Sequence, residues 1–541
     1  MHSLEIVLGM LLLVLASGYL VRVLPLALPL PLVQIGLGAV VAATSRHAVG
    51  LDPEIFFLLF LPPLLFLDGW RIPKEGLFRD ARPILQLAFG LVVFTVIGAG
   101  FLIHWMIPAM PLAVAFALAA IVSPTDPVAV SSIAARVPIP RRLMHILEGE
   151  SLLNDASGLV CFRFAVAAVL TGEFALGPAS ATFLWLALGG LGTGAVVTWA
   201  IHRGHHALTR RFGQVAGVAI LVSLLTPFGA YLAAEHIGAS GILAAVAAGI
   251  VMSQVDFRSP ALATTRVQRT AVWDAVQFTL NGIMFVLLGE QLPGILRRAI
   301  DSVGQSGHQS PWWLLAYALA INVMLALLRL AWVWVSLRLD AFAARRRGEK
   351  PAEPSWRLVV ATSLAGVRGA ITLAGVLTLP LVLADGRAFP ARDLVIFLAA
   401  AVILVSLLAA SIGLPRLLVG LEVPPEPDAQ REEDVARRAA ARAALAAIER
   451  ARHELPGVGL DVLASAAVRV MALYQRRLEG DPDRVAAGEL RKADDAERAL
   501  RIAALRAERE AIFALARERR VSDDIARRLA RDIDLAEARY R

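Results

Sequence analysis

Apolar segments of about twenty residues recur from the N-terminus to roughly Leu421, and this leaves few folds open to the chain. A bilayer core offers backbone groups no water, so a segment that crosses it must satisfy its own hydrogen bonds, as an α-helix does. Of the 541 residues, 57% are hydrophobic, and the mean hydropathy of +0.65 excludes an ordinary soluble globular class. The pattern predicts an all-α polytopic membrane protein of about thirteen spans. They fall near 4–21, 26–44, 53–68, 84–107, 112–134, 143–170, 181–202, 213–235, 238–254, 272–292, 312–337, 356–382 and 393–420. The first could be taken for a signal peptide, since Ala16-Ser17-Gly18 resembles a cleavage site. No Lys or Arg precedes it and Arg22 follows, so it reads as a retained span.

Charge in the connections orients the spans. Basic residues crowd the connections after the third span (Arg71, Lys74, Arg79, Arg82), the fifth (Arg136, Arg141, Arg142) and the seventh (Arg203, Arg210, Arg211). They return after the ninth (Arg258, Arg266, Arg269) and the eleventh (Arg345, Arg346, Arg347, Lys350). The connection after the fourth has no charge, that after the sixth only Glu173, and that after the eighth Glu235 and His236. This positive-inside alternation places the N-terminus outside and the C-terminus in the cytoplasm, in a cell inner membrane. Arg297 and Arg298, after the tenth span, run against it. The net charge of +8 belongs to these short connections and is no sign of nucleic-acid binding. The single cysteine, Cys161, excludes an intramolecular disulfide.

Residues 1–421 thus form the transmembrane domain, and residues 422–541 a helical cytoplasmic tail. The tail opens on the acidic, proline-containing "EVPPEPDAQREED" and continues rich in Ala, Arg, Glu and Leu, with apolar residues at helical spacing. It carries no nucleotide or metal motif. No P-loop occurs anywhere, which argues against ATP-driven pumping, and nothing in the chain points to an enzyme or to a resident cofactor.

The stretch 121–160 breaks the apolar monotony with Ser123, Thr125, Asp126, Glu148, Glu150, Ser151, Asn154 and Asp155. Ionised groups at bilayer depth cost several kcal/mol, so they are kept where they line a pathway or meet a partner. Prolines flank Thr125-Asp126 and disfavour a continuous helix there. Broken backbone beside hydroxyls and carboxylates supplies the oxygens that replace the water of a desolvated cation. Ser151 and Asp155, four apart, share a helical face. Asp155 can hold a proton or a cation but hardly both, and with access alternating between the two sides this gives antiport. Thr125 and Ser151 add neutral oxygens suited to a hard alkali cation such as Na+. Asp126 and Asn154 are assigned to holding the site together, and Glu150 with Arg368 to a buried charge pair.

Several other polar residues are open to two readings. Asp68, at the end of the third span, lines an entrance or caps a terminus, and Arg329 is ambiguous in the same way. Arg163, two helical turns beyond Asp155, contributes to the site or pairs elsewhere. Glu290 is read as solvated, and His104 as interfacial. His202, His205 and His206 lack the carboxylate or thiol spacing of a metal site. If spans one to six repeat as eight to thirteen, the interrupted fifth corresponds to the twelfth, whose "SLAGVRGAITLAG" carries Arg368.

Four stretches together, "LPPLLF" at 61–66, "SPTDPVAV" at 123–130, "EGESLLNDASGLV" at 148–160 and "GVRGAITLA" at 366–374, resemble the monovalent cation:proton antiporter family, in its NhaP and sodium/proton exchanger branch. The resemblance covers roughly residues 1–420. It implies two inverted repeats whose broken helices cross near the midplane, a homodimer in lipid, and an elevator-like movement. It places the ion- and proton-binding aspartate at Asp155, oxygen donors at Thr125 and Ser151, and a charge pair at Glu150 and Arg368. The Asn154-Asp155 order resembles the electroneutral branch. Several relatives place an acid directly after "LPPLLF", where this chain has Leu67 and then Asp68. The implied activity is exchange of Na+, or Li+ or K+, for protons in sodium and pH homeostasis. A passive channel would show a repeated filter or carboxylate ring, and a receptor a signalling motif in the tail; neither is visible.

Overall fold

The computed structural model describes residues 2–24, 28–44, 53–72, 81–126, 130–131, 141–172, 176–213, 215–258, 263–305, 312–346, 356–383, 386–418, 427–454, 460–475, 484–518 and 520–538. It is all-helical but for one isolated bridge, Val382 with Ala388. The chain divides into two compact units, Met1–Glu422 and Val423–Arg541.

The first unit contains α1 (His2–Val23), α2 (Leu30–Thr44), α3 (Pro53–Arg71), α4 (Ala81–Met106), α5 (Leu112–Val122), α6 (Arg141–Thr171) and α7 (Leu176–Phe212). It continues with α8 (Ala216–His236), α9 (Gly241–Arg258), α10 (Ala263–Gln305), α11 (Trp312–Arg346), α12 (Trp356–Leu364), α13 (Ala370–Leu377) and α14 (Arg392–Leu418). Among the described residues, eight helices are long and apolar enough to cross a membrane, and three shorter apolar helices accompany them.

The helices sort into two bundles. One joins α1, α2 and α3 to α8, α9 and α10; the other joins α4, α5 and α6 to α11, α12, α13 and α14. In the first bundle α2 packs on α10 and α3 on α9. These two pairings exchange when the first six spans are mapped onto the last six, the relation an inverted repeat demands. α7 packs on α8 and α9 and links the halves. The bundles meet where α10 lies on α14, and along a seam of α3, α6 and α13.

Two irregularities mark the second bundle. Within α4, Gln86–Leu91 forms a π-turn, a device that frees backbone groups and often accompanies functional sites. Ser157 of α6 donates to the Ala88 carbonyl of that turn at 2.6 Å. The second irregularity is a pair of breaks: α5 stops at Val122 before an extended stretch through Asp126, and Ala365–Gly369 separates α12 from α13.

The tail unit pairs α15 (Pro427–Glu454) with α16 (Leu460–Gln475), and α17 (Arg484–Arg517) with α18 (Asp523–Ala538). Ala526, Ala530 and Ile533 are buried on α18. Arg509 of α17 donates to Asp534 at 2.7 Å and to Glu537 at 2.5 Å, and these bonds hold its guanidinium above the ordinary value.

Candidate functional site

The two breaks cross. The amide of Asp126 donates to the Val367 carbonyl at 2.7 Å, so one extended stretch satisfies the other where neither has helical partners. Arg368 reinforces the crossing from within. Its Nε donates to the Val122 carbonyl at 2.9 Å, the end of α5, and its Nη1 donates to the Gly366 carbonyl. Its own amide donates to Ser406 Oγ on α14 at 3.2 Å. A cationic side chain on carbonyls at a helix C-terminus also answers the negative end of that helix's dipole.

Two glycines make this approach possible. A Cβ on Gly369 would lie 1.8 Å from Asp126 Oδ2, and one on Gly158 would lie 2.3 Å from Cγ of Pro124. The first keeps Asp126 against the α13 break; the second lets the α5 break rest on α6.

Glu150 sits fully buried on α6 beside the crossing, and its partner is Arg329 of α11. Arg329 Nη2 donates to Oε2 at 2.7 Å, Nη1 donates to Oε1, and Nε donates to the Thr362 carbonyl at 3.1 Å. The charge pair expected between Glu150 and Arg368 is therefore not the one formed. Both arginines lie in apolar runs, and residue order alone offers no means of choosing which one reaches the acid. Arg368 is committed to carbonyls at the break in which it stands; Arg329, on an unbroken helix whose carbonyls are already used, is available to a carboxylate.

A polar chain extends from that pair. Asn154 Nδ2 donates to Thr125 Oγ1 at 2.9 Å and reaches Glu150 Oε1 at 3.5 Å, while Thr125 Oγ1 donates to the same oxygen at 3.3 Å. With its amide nitrogen facing these acceptors, Asn154 turns Oδ1 the other way, and that oxygen is buried without a partner among the described residues. Ser123 Oγ is in the same condition.

Asp155 follows Asn154 and is 5% exposed; Ser151, one turn earlier, is also buried. Asp155 lies within electrostatic reach of Asp126, Asp68 and Glu150, and Asp68 within reach of Asp126, Arg71 and Glu148. Four carboxylates from α3, the α5 break and α6 thus converge on the seam between the bundles. Glu150 has its arginine. No hydrogen bond joins the Asp155 side chain to another described residue. Asp68 is half-buried on α3, on the first-bundle side of this convergence.

Arg163 stands away from the cluster, half exposed, with Nη2 3.6 Å from Glu235 of α8. Glu290, read as solvated, is buried on α10. His104 bonds the Met110 carbonyl at 2.8 Å across the short α4–α5 connection. Among the described residues no group of His, Cys, Asp and Glu is arranged to hold a metal, the α7 histidines included.

Residues 10–420 match the model of the transmembrane sodium/hydrogen exchanger family. The chain belongs to this family. It is 42% identical over 542 residues to the protein named uncharacterized Na+/H+ exchanger YjcE of Escherichia coli, covering 98% of each. It is 43% identical over 414 residues to the sodium, potassium, lithium and rubidium/H+ antiporter of Bacillus subtilis, covering 76% of this chain and 61% of that one. Among solved structures, the sodium proton antiporter MjNhaP1 of Methanocaldococcus jannaschii matches with a TM-score of 0.58. The identity is 18%, across 77% of this chain and 99% of that one, so this likeness concerns the fold. The exchanger is accordingly a multi-pass membrane protein.

Proposed function

We propose that this exchanger is a secondary antiporter trading Na+ for protons one for one, with Asp155 carrying either ion. The observation behind the assignment is Asp155 itself: buried, without a hydrogen-bonding partner among the described residues, and within electrostatic reach of three further carboxylates beside crossed, non-helical backbone. A carboxylate so placed is stable when neutralised, and a proton and an alkali cation are alternative neutralisers. Thr125 and Ser151 are the proposed neutral ligands of the cation, with Asn154 and Asp126 fixing the crossing about them. The seam between the bundles suits alternating access, in which α4–α6 and α11–α14 move past α1–α3 and α8–α10 in an elevator-like step. A homodimer in the cell membrane, N-terminus outside and C-terminus inside, with a role in sodium and pH homeostasis, completes the reading.

Potassium, and lithium too, is a second candidate cargo, because the Bacillus relatives carry those ions in their names. Both questions go to one experiment. Purified exchanger is placed in liposomes with a preset pH gradient and an interior pH dye, and Na+, Li+ and K+ are added in turn with the membrane voltage free or clamped. Cation-dependent collapse that ignores voltage supports one-for-one exchange and names the ion. Voltage-sensitive collapse overturns the stoichiometry, and no collapse with folded protein overturns antiport.

A further inference from the structure

Away from the crossing, a cavity of about 50 Å³ opens among α7, α8, α9 and α10. Its polar lining among the described residues includes Thr198, His202, His205, Asp256, Arg266 and Arg269. The one carboxylate is already engaged: Asp256 Oδ2 accepts from Arg269 Nη2 at 2.6 Å and from Trp70 Nε1 at 2.8 Å. The Arg269 guanidinium also lies 5.1 Å from the centre of the Trp70 ring. Two buried polar atoms of the lining, Arg269 Nε and Thr198 Oγ1, have no partner among the described residues. Both can donate. The orphaned groups are thus two donors, one of them on a guanidinium, while the carboxylate beside them is committed to Arg269 and Trp70, and the complement of such a pair of donors is an oxyanion.

Position narrows the oxyanion. At 37 residues α7 spans roughly 55 Å, well beyond an apolar core of about 30 Å. Its last turns bear Arg203, Arg210 and Arg211, with Arg203 5.4 Å over the Trp199 ring and Arg211 5.6 Å over the Phe212 ring. Paired aromatic and basic side chains are the signature of the headgroup layer. At about 50 Å³ the cavity has several times the roughly 10–15 Å³ that one water needs, and so has room for a group larger than water.

We propose that this cavity binds a phosphate oxyanion at the Arg-rich face of the exchanger, held by Arg269 Nε and Thr198 Oγ1 with His202, His205 and Arg266 around it. Basic pockets between membrane helices on that face receive lipid headgroups. A phospholipid phosphodiester and free inorganic phosphate share this chemistry, and the test separates them. Thermal unfolding of the full chain in non-ionic detergent is followed against phosphatidylglycerol, inorganic phosphate, and a diacylglycerol that lacks phosphate. Thr198→Val removes one donor at constant shape, and Ala219→Leu fills the cavity from α8 without touching a donor.

Phosphatidylglycerol raises the midpoint and diacylglycerol does not; Thr198→Val weakens the response about tenfold or more, the worth of one charge-assisted hydrogen bond, and Ala219→Leu weakens it by occupying the space. A response to phosphatidylglycerol alone identifies the lipid, and an equal response to inorganic phosphate identifies a free anion. No response to either, or the same response in wild type and Thr198→Val, overturns the proposal. Gel filtration and exchange in vesicles check that both variants are folded; should Ala219→Leu fail this check, the isosteric Thr198→Val decides alone.

Discussion

Arg329 of α11 grips Glu150 of α6 at two points although 179 residues separate them, and the two side chains are 2% and 1% exposed. The pair ties α6 and α11 together and, through the Thr362 carbonyl, α12 as well. Breaking a buried pair from one side leaves an uncompensated charge and costs about 3–5 kcal/mol, more than removing both. Arg329→Ala is therefore expected to cut the yield of folded exchanger sharply, and Arg329→Met with Glu150→Leu to recover part of it. Unfolding midpoints in detergent measure both; a single mutant as stable as wild type would overturn the role given to the pair.

Arg368 is expected to behave otherwise. Its guanidinium serves carbonyls at the crossing rather than a carboxylate, so Arg368→Ala leaves no buried charge behind. It leaves unsatisfied carbonyls, at about 1–3 kcal/mol each. Arg368→Lys, a point donor without the guanidinium fork, should restore stability only in part. The same unfolding series compares it with Arg329→Ala, and the Arg368→Ala loss should be the smaller.

Gly369→Ala sets a Cβ 1.8 Å from Asp126 Oδ2, and the crossing has little room to give because the Asp126 amide is bonded to Val367. Overpacking of this kind costs about 1–3 kcal/mol. Exchange should fall more than stability does, since Asp126 is displaced from the seam. Liposome exchange rates set beside unfolding midpoints give the comparison.

The broken fifth and twelfth spans were legible because proline, glycine and charge stand out against apolar sequence. Asp155, Thr125 and Asn154 were named from the same contrast. The partner of Glu150 was not legible. Arg329 lies in a helix with no break, and the hydrogen-bonded ends that occupy Arg368 exist only once the two stretches cross. Helical periodicity left Arg163 open between the site and another partner: eight residues past Asp155 it keeps the face but stands about 12 Å further along the axis, where Glu235 is at hand. Glu290 shows that an acid near the end of a span need not face water, because packing rather than depth decides its exposure. The donor-rich cavity exists only once α7, α8, α9 and α10 pack together, and its histidines by themselves lacked the spacing of a metal site.

If Asp155 is the shared carrier, protons and cations exclude one another, and each lowers the apparent affinity of the other by the same factor. As pH falls, protons occupy more of the carboxylate and the apparent KM for Na+ rises, tending to about tenfold per pH unit once protonation dominates. The maximal rate at saturating cation should change much less. Asp155→Asn can bind neither ion as a carboxylate does, and should abolish exchange while unfolding as wild type does. KM measured in liposomes across the pH range tests the competition, and a pH-independent KM would remove Asp155 from its role.

Among the described residues, two ion pairs bridge the bundles away from the Arg-rich connections: Arg298 Nε to Asp393 Oδ1 at 3.1 Å, joining α10 to α14, and Arg163 to Glu235, joining α6 to α8. All four side chains are at least a third exposed, so each pair contributes only about 0–1 kcal/mol to stability. Their effect should appear in movement instead. An elevator step slides one bundle along the other and must part both pairs, whereas the Trp70–Asp256–Arg269 group and the Arg71–Asp274 pair lie within the first bundle and travel together. Asp393→Asn with Glu235→Gln should therefore leave the unfolding midpoint nearly unchanged. It should shift the balance between the two access states by about 1 kcal/mol, a roughly fivefold change in their ratio. Apparent KM for the cation measured separately from each side of oriented vesicles reads that shift. Arg298→Asp alone should move it further, and Arg298→Asp with Asp393→Arg should bring it back, which a general loss of folding could not do.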